Sequence, residues 1–289
     1  MSVPDKVPPP DTVPPLHPDV AYWLEMAEAA AYQDTYAGAA AVAGDPCGAR
    51  FAIIGGADAH ALTALDFSFF NRTVGLGTAR PATREDVAAV SAFYRDLGLG
   101  QSVIHVAPGA EPAELVDWVG EEGYTPGRRW VKVWHDLREI AEPSPALRIE
   151  IIDTEGADAF AGVCATAFEM PPIVAPLMAA TIGRAGWTHY LGYEGATPVS
   201  AAAMYVTEGI SWLGYGSTLE ASRGRGWQTA MFLRRLQDAR AAGCRMTITE
   251  TGEETEDDPV NHSYRNMLRT GFRLAYARRN YVRVPSAAG

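Results

Sequence analysis

The residues with the clearest chemical purpose lie in the segment "GYGSTLEASRGRGWQTAMFLRRLQDARAAG", residues 214–243, where Gly224 and Gly226 alternate with Arg223 and Arg225. Glycine admits backbone conformations and close approaches that a Cβ forbids. A turn of this kind running straight into a helix aims the free N–H groups of the first helical turn outward, and the helix dipole favours negative charge there. Two guanidinium groups strengthen that preference. The chemistry these residues suit is the binding of a phosphate or diphosphate. The spacing is neither a Walker motif nor a G-x-G-x-x-G dinucleotide loop, because the third glycine is missing. In the helix that follows, Met231, Phe232 and Leu236, alternating with Ala230, Leu233 and Gln237, are expected on the buried side, with Arg234, Arg235 and Asp238 facing water.

The elements that must position this turn read as a second cycle of strands and helices. It runs from strand "RIEII" through helices "ADAFAGVCATAF" and "IVAPLMAATIG" to strands "WTHYLGYE", "PVSAAAMYVTE" and "GISWLGYGST". The anion turn and its helix come next, then strand "RMTITET", helix "SYRNMLRTG" and strand "RLAYARRNYVRV". A first cycle precedes it: a helix from Asp19, strand "ARFAIIGG", paired strands within "LTALDFSFFNRTVGLG", and helix "TREDVAAVSAFYRDLG", opened by Thr83 with Asp86 in a capping-box pattern. Strand "QSVIHVA", helix "EPAELVDWVGEEG" and strand "RRWVKVWHDL" complete it. Gly123-Tyr124 and Gly271-Phe272 stand before the last strand of each cycle, so the chain reads as a tandem duplication. The expected boundaries are a disordered, proline-rich tail at 1–18, a first domain at 19–137, a linker at 138–147 carrying Pro-Ser-Pro, and a second domain at 148–285.

Of the 289 residues, 47% are hydrophobic and 20% charged, which suits a globular protein with a substantial core. The 24 Lys and Arg against 35 Asp and Glu give a net charge of −11, which repels nucleic-acid backbones and anionic lipid heads. The expected partner is a small molecule or peptide with a cationic group. Cys47, Cys164 and Cys244 have no C-x-x-C spacing and the six histidines form no ligand motif, so neither disulfides nor metal are expected. No apolar run approaches membrane-spanning length and no signal peptide is visible, so a cytoplasmic location is expected.

With its strand before and helix after, the turn Arg223-Gly224-Arg225-Gly226-Trp227-Gln228 resembles the CoA loop of the GCN5-related N-acetyltransferase (GNAT) family, Q/R-x-x-G-x-G/A. It matches at the first basic position and the central glycine and departs at Gln228, where a larger side chain replaces Gly or Ala. "NHSYRNMLRTGF", residues 261–272, resembles the family's late helix beside the pantetheine arm. The resemblance covers about 135 residues, in the family's strand and helix order. It implies a mixed α/β (α+β) fold of two GNAT-like domains, each a mostly antiparallel mixed sheet flanked by helices.

The resemblance further implies an acyl-CoA co-substrate, acetyl-CoA foremost, held without metal in a splay between "GISWLGYGST" and "RMTITET" and attacked directly by an acceptor amine. Backbone N–H groups at Gly216, Ser217 and Thr218 would hold the pantetheine and polarise the thioester. Arg223, Gly224, Arg225, Gly226, Trp227 and Gln228 would take the diphosphate, and Asn266 would lie against CoA. Because only about one alkylammonium in 2,500 is neutral at pH 7, a proton acceptor is needed. Glu250, with Glu208 behind it, is the carboxylate to test. The family's tyrosine acid would fall at Met267; Tyr264, one turn earlier, is a stand-in. The acidic run Glu253–Asp258 is either a solvated loop or a collar for a cationic acceptor. Trp187, Trp212 and Trp227 are either packing residues or an acceptor pocket. The first cycle has proline where the glycine turn should be, so it is expected to have lost CoA binding and to shape the acceptor cleft. The alternative function is a non-catalytic acyl-CoA sensor.

Overall fold

The computed structural model describes residues 18–144 and 146–284. Most of the proline-rich tail lies outside them. By contact the chain forms two compact units: among the described residues, 18–131 with 275–284, and 132–274.

In the N-terminal unit, α1 (Pro18–Ala40) is followed by β1 (Ala49–Ile54), β2 (Ala57–Leu62) and β3 (Arg72–Val74). Then come α2 (Arg84–Asp96), β4 (Ser102–Val106), α3 (Leu115–Glu121) and β5 (Thr125–Pro126). The sheet order is β1-β2-β3-β4, with β4 paired antiparallel to the last strand of the chain, β12 (Arg273–Arg283), through Arg279–Arg283. β1 with β2 and β2 with β3 are antiparallel, while β3 and β4 are parallel. The partner of β1 is not the aromatic run around Phe67–Phe70 but Ala57–Leu62. Gly55 and Gly56, both at positive φ, make a two-residue hairpin after Ile54, and 63–71 is mostly turn. Thr83 and Asp86 form the capping box of α2. The helix expected at 111–123 is confined to α3.

In the C-terminal unit, β6 (Trp130–His135, from Lys132 onward) precedes β7 (Arg148–Ile152), α4 (Ala157–Ala167), α5 (Ala175–Ala179) and β8 (Trp187–Glu194). β9 (Thr197–Thr207), β10 (Ile210–Thr218), α6 (Trp227–Ala241), β11 (Met246–Gly252) and α7 (His262–Arg269) follow. The order is β6-β11-β10-β9-β8-β7, antiparallel from β7 to β10 and parallel between β10 and β11. The long helix expected over 173–183 shortens to α5. α4 packs on one face, where Phe160 meets His189 and Tyr215. α6 packs on the other, where Trp227 lies over Gly192 so closely that a Cβ there would stand 2.6 Å from the indole. Both units are thus mixed α/β with mainly antiparallel sheets.

Arg235 departs from its expected place in water. It is buried, and its guanidinium turns back across the sheet to donate to the carbonyls of Met231, Ala203 and Gly214. Burial lowers its pKa to about 10, which leaves it cationic at neutral pH. A long side chain can thus sit on an apolar helix face when backbone oxygens satisfy its head.

Candidate active site

The parallel ladder of β10 and β11 covers only Ile210–Trp212 against Met246–Ile248. Beyond it β10 runs on to Thr218 and β11 to Gly252, so the strands part and open a cleft at their C-terminal ends. At the fork Thr249 Oγ1 donates to Leu213 O (2.8 Å). Just past it β10 carries a bulge between Gly214, paired with Ala203, and Ser217, paired with Ala201. Tyr215 holds φ +56° there, a conformation uncommon for a side chain of its size. A bulge takes backbone groups out of the ladder and turns them toward whatever lies beside the strand. Tyr215 and Gly216 are thereby left out of the ladder, while Ser217 and Thr218 resume it opposite Ala201 and Ser200. Ser217 is buried, its carbonyl accepting from Ser200 Oγ at 2.7 Å.

The chain leaves β10 through a short turn to Gly224 (φ +76°) and Gly226 (φ +88°). Gly226 is the N-cap of α6 and, having no side chain, caps nothing; the first turn of α6 carries no acidic residue. The leading N–H groups of a helix have no partner inside it, so those of Trp227 and its successors face outward. A Cβ at Gly224 would meet nothing within 4 Å. At Gly226 a Cβ would meet only Leu147, at 3.9 Å.

The side chains of this loop divide by direction. Arg223 is exposed and reaches the carbonyls of Thr218 and Ala167, both at 3.4 Å. Arg225 pairs with Glu194 at 2.8 Å. Trp227 is buried and its indole N–H donates to the same carboxylate at 3.1 Å, so it anchors the loop from below. The Trp227 indole, with Arg225 beside it, holds the Glu194 carboxyl below its ordinary range. Gln228 turns sideways to α7: its Nε2 donates to Ser263 Oγ (3.0 Å), and its Oε1 accepts from Asn266 Nδ2 (2.6 Å). Asn266 also accepts from Arg269 at 2.7 Å. Thus Gln228 and Asn266 tie the two helices that flank the cleft.

Glu250, near the end of β11, is almost buried. Its Oε2 accepts from Lys132 Nζ at 3.2 Å, and its carboxylate accepts from Trp212 Nε1 at 3.1 and 3.2 Å. Glu208 is not brought to the site. It sits at φ +48° in the hairpin turn between β9 and β10, at the end of β10 away from the cleft. Tyr264 is buried, and among the described residues its hydroxyl has no hydrogen-bond partner. Burial, with Glu254 adding to it, pushes that hydroxyl up to about 12. In the acidic run, Glu254 pairs with Arg265 of α7 at 2.7 Å and accepts from the Asn261 backbone, whereas Glu256, Asp257 and Asp258 are exposed.

Two of the three tryptophans come together. Trp187 and Trp212 meet edge-on at 6.1 Å, with Tyr205 4.8 Å from Trp187 and Tyr215 6.2–6.4 Å from both indoles. Trp227 lies on the opposite face, under α6. His189 stacks beneath Trp187 and bonds Thr181 (2.9 Å); burial lowers it to about 4, so it is neutral. Sequence reasoning missed Lys132, although a lone lysine inside the apolar alternation "WVKVW" signals a charge drawn inward to a partner. It also missed Tyr205 and Tyr215, which nothing local distinguishes. Among the described residues no cluster of three His, Cys, Asp or Glu could hold a metal, and no helix is long and apolar enough to cross a membrane.

No protein-family model and no curated protein matches the sequence. The structure is similar to that of a GCN5-related N-acetyltransferase from Kribbella flavida (TM-score 0.58, 18% identity, 90% of this chain and 96% of that one). A GCN5-related N-acetyltransferase from Sphaerobacter thermophilus is similar too (TM-score 0.57, 14% identity, 95% and 96%). So is a tandem GNAT protein from the clavulanic acid biosynthesis pathway (TM-score 0.57, 15% identity, 94% and 98%). The chain therefore has the fold of the GCN5-related N-acetyltransferases, in its tandem form, over 90–95% of its length.

Proposed function

We propose that residues 132–274 bind an acyl-CoA, acetyl-CoA foremost, and transfer the acyl group to the nitrogen of a small-molecule or peptide amine. The observation that supports this best is one conjunction: an uncapped helix start behind two left-handed glycines, next to a parallel strand pair that diverges after Trp212 and Ile248. The diphosphate would rest on the N–H groups opening α6, with Arg223 and Arg225 beside it, and the pantetheine arm would run along Gly216–Thr218. The nearness of Glu194 to Arg225 is the one feature that opposes an anion there.

The amine nitrogen attacks the thioester carbonyl carbon, the carbon–sulfur bond breaks, and the sulfur leaves as the CoA thiol after gaining a proton. N–H groups freed by the bulge at Gly214–Ser217 stabilise the developing oxyanion. Glu250 takes the proton from nitrogen, directly or through water, and Tyr264 gives one to sulfur. A hydroxyl pushed up to about 12 stays protonated at neutral pH, as a proton donor must. Tyr264→Phe should lower kcat by about 100-fold with the acetyl-CoA KM unchanged. In the parent enzyme, ionisation of this hydroxyl should cost no activity on the alkaline side until pH nears about 12.

A second reading, an acyl-CoA sensor without turnover, is favoured by the engagement of Glu250 with Lys132 and Trp212. Titration with acetyl-CoA, followed by thiol release across a panel of amines, separates the two. Binding with release supports transfer, binding without release supports the sensor, and absence of binding contradicts both.

A further inference from the structure

The sheet of the N-terminal unit has two unlike faces. Toward α2 and α3 it is mainly apolar, with Ala57, Ala61, Ile104 and Val106 in one core cluster and the hydroxyls of Thr73 and Ser102 bonded to Tyr94 and Tyr124. The other face, packed by α1, carries Asp58 and His60 from β2, Arg72 from β3, His105 from β4, and Arg278 and Asn280 from β12, all buried. Part of this polar face is held by ion pairs. Arg278 is held by Glu25 (2.9 Å) and Glu28 of α1.

The rest is not complete. His60 Nδ1 lies 2.6 Å from Asp58 Oδ2, and His105 Nδ1 lies 2.6 Å from Asn280 Oδ1. Asn280 Nδ2 donates to Arg128 O (2.7 Å), which fixes the amide so that its oxygen accepts and His105 Nδ1 carries the proton. Burial, aided by Arg278 and Arg72, holds the His105 imidazole well below its ordinary range, so Nε2 is a bare lone pair. Among the described residues, Asp58 Oδ1, His60 Nε2 and His105 Nε2 have no hydrogen-bond partner. A buried polar atom left in that state costs about 1–3 kcal/mol, and packing gives no reason to keep three of them on one face.

The two imidazoles flank Arg72, which is paired with His60 across β2 and β3. Its guanidinium lies over the rings of Tyr32, Phe69 and Trp130 at 5.2, 4.1 and 4.9 Å. Tyr32 in turn stacks on His60, and Trp130 lies 5.9 Å from His105. Tyr32 and Trp130 are half-buried and Phe69 is exposed, so this rim reaches solvent. The β3–β4 ladder ends at Thr73–Ile104, one residue short of His105, which is paired only on its other side, with Asn280 of β12.

The chemistry of the orphaned atoms narrows the occupant. The bare Nε2 of His105 requires a donor, which an anion cannot supply. An ammonium supplies donors but sets its charge beside Arg72. Hydroxyl groups donate without charge, and their oxygens can accept from a guanidinium. We propose that Asp58, His60, Arg72 and His105 form a binding site for a small neutral ligand bearing several hydroxyl groups, a polyol or monosaccharide. The site is independent of acyl-CoA chemistry in residues 132–274.

Long-range ¹H–¹⁵N spectra of the full-length protein, labelled at histidine, test this directly. The probes are glycerol, myo-inositol and D-glucose, with phenylethylammonium and inorganic phosphate as charged comparators. His60→Gln and His105→Gln each remove one signal and so assign the two rings. The expected result is a saturable shift of both Nε2 resonances with at least one polyol and with neither charged probe. In His105→Gln the affinity read at His60 should fall about fivefold, the effect of losing one hydrogen bond. Should either variant fail to fold, the titration of the parent protein decides alone. Nε2 resonances unmoved by every polyol, as an ordered water in place would leave them, overturn the proposal. So does a response only to the charged probes.

Discussion

Each unit contains a short parallel strand pair that ends abruptly and is followed by a glycine-bearing turn and a helix, yet the two ends are finished in opposite ways. After β10, Gly226 leaves the start of α6 uncapped, no acid stands in the first helical turn, and the space beside Gly224 is empty. After β3, the start of α2 is closed. Thr83 accepts from the Asp86 N–H, the Asp86 carboxylate accepts from the Thr83 N–H, and Glu85 adds a second negative charge. Gly77 there is packed so tightly that a Cβ would stand 2.6 Å from the Glu111 carbonyl. The same topology thus yields an uncapped helix end in one unit and a self-satisfied one in the other. Side chains on the strands differ as sharply: β11 presents Glu250 with Lys132, whereas β4 presents His105 with Asn280.

The largest expected effect concerns the charged pair. Lys132→Met should destabilise the protein by about 3–5 kcal/mol in denaturant melts, because it removes the ammonium paired with a nearly buried carboxylate. Lys132→Met with Glu250→Leu should recover most of that loss, and a double variant no better than the single would deny the coupling. Next come the two turns. Gly224→Ala should cost about 1–2 kcal/mol, the strain of a left-handed residue in open space. Gly77→Ala should cost more, since it adds a clash with backbone, and equal losses would contradict the contrast drawn between the turns. Smallest is the cap: Thr83→Ala should lower stability by about 1 kcal/mol and leave CoA affinity unchanged.

Much of this contrast was legible from residue types alone. The glycine turn, the Thr83–Asp86 box and the element order follow from local rules, since caps and turns are decided within four or five residues. What escaped was set by contacts distant in sequence. Arg235 reads as solvent-facing on a helical wheel, but it is satisfied by carbonyls of β9 and β10. Gln228 reads as a side chain crowding the phosphates, yet Ser263 and Asn266 draw it away to α7. Glu208 and Glu250 look equivalent as acids near strand ends; only the direction of β10 separates the hairpin turn from the cleft. The pairing of residues 279–283 with 102–106 has no local signature, because alternation in a strand specifies its faces and not its neighbour.

The measurement that bears most directly on the proposed diphosphate site is calorimetric titration of CoA into Gly224→Asp and Gly224→Asn. Both side chains tolerate the left-handed region and differ by one charge, so strain cancels between them. If the diphosphate rests on the turn, the aspartate variant should bind CoA at least about 10-fold more weakly than the asparagine variant, a difference near 1.4 kcal/mol, and the gap should shrink with added salt. Equal affinities for the two variants would mean that CoA, if bound at all, is held elsewhere.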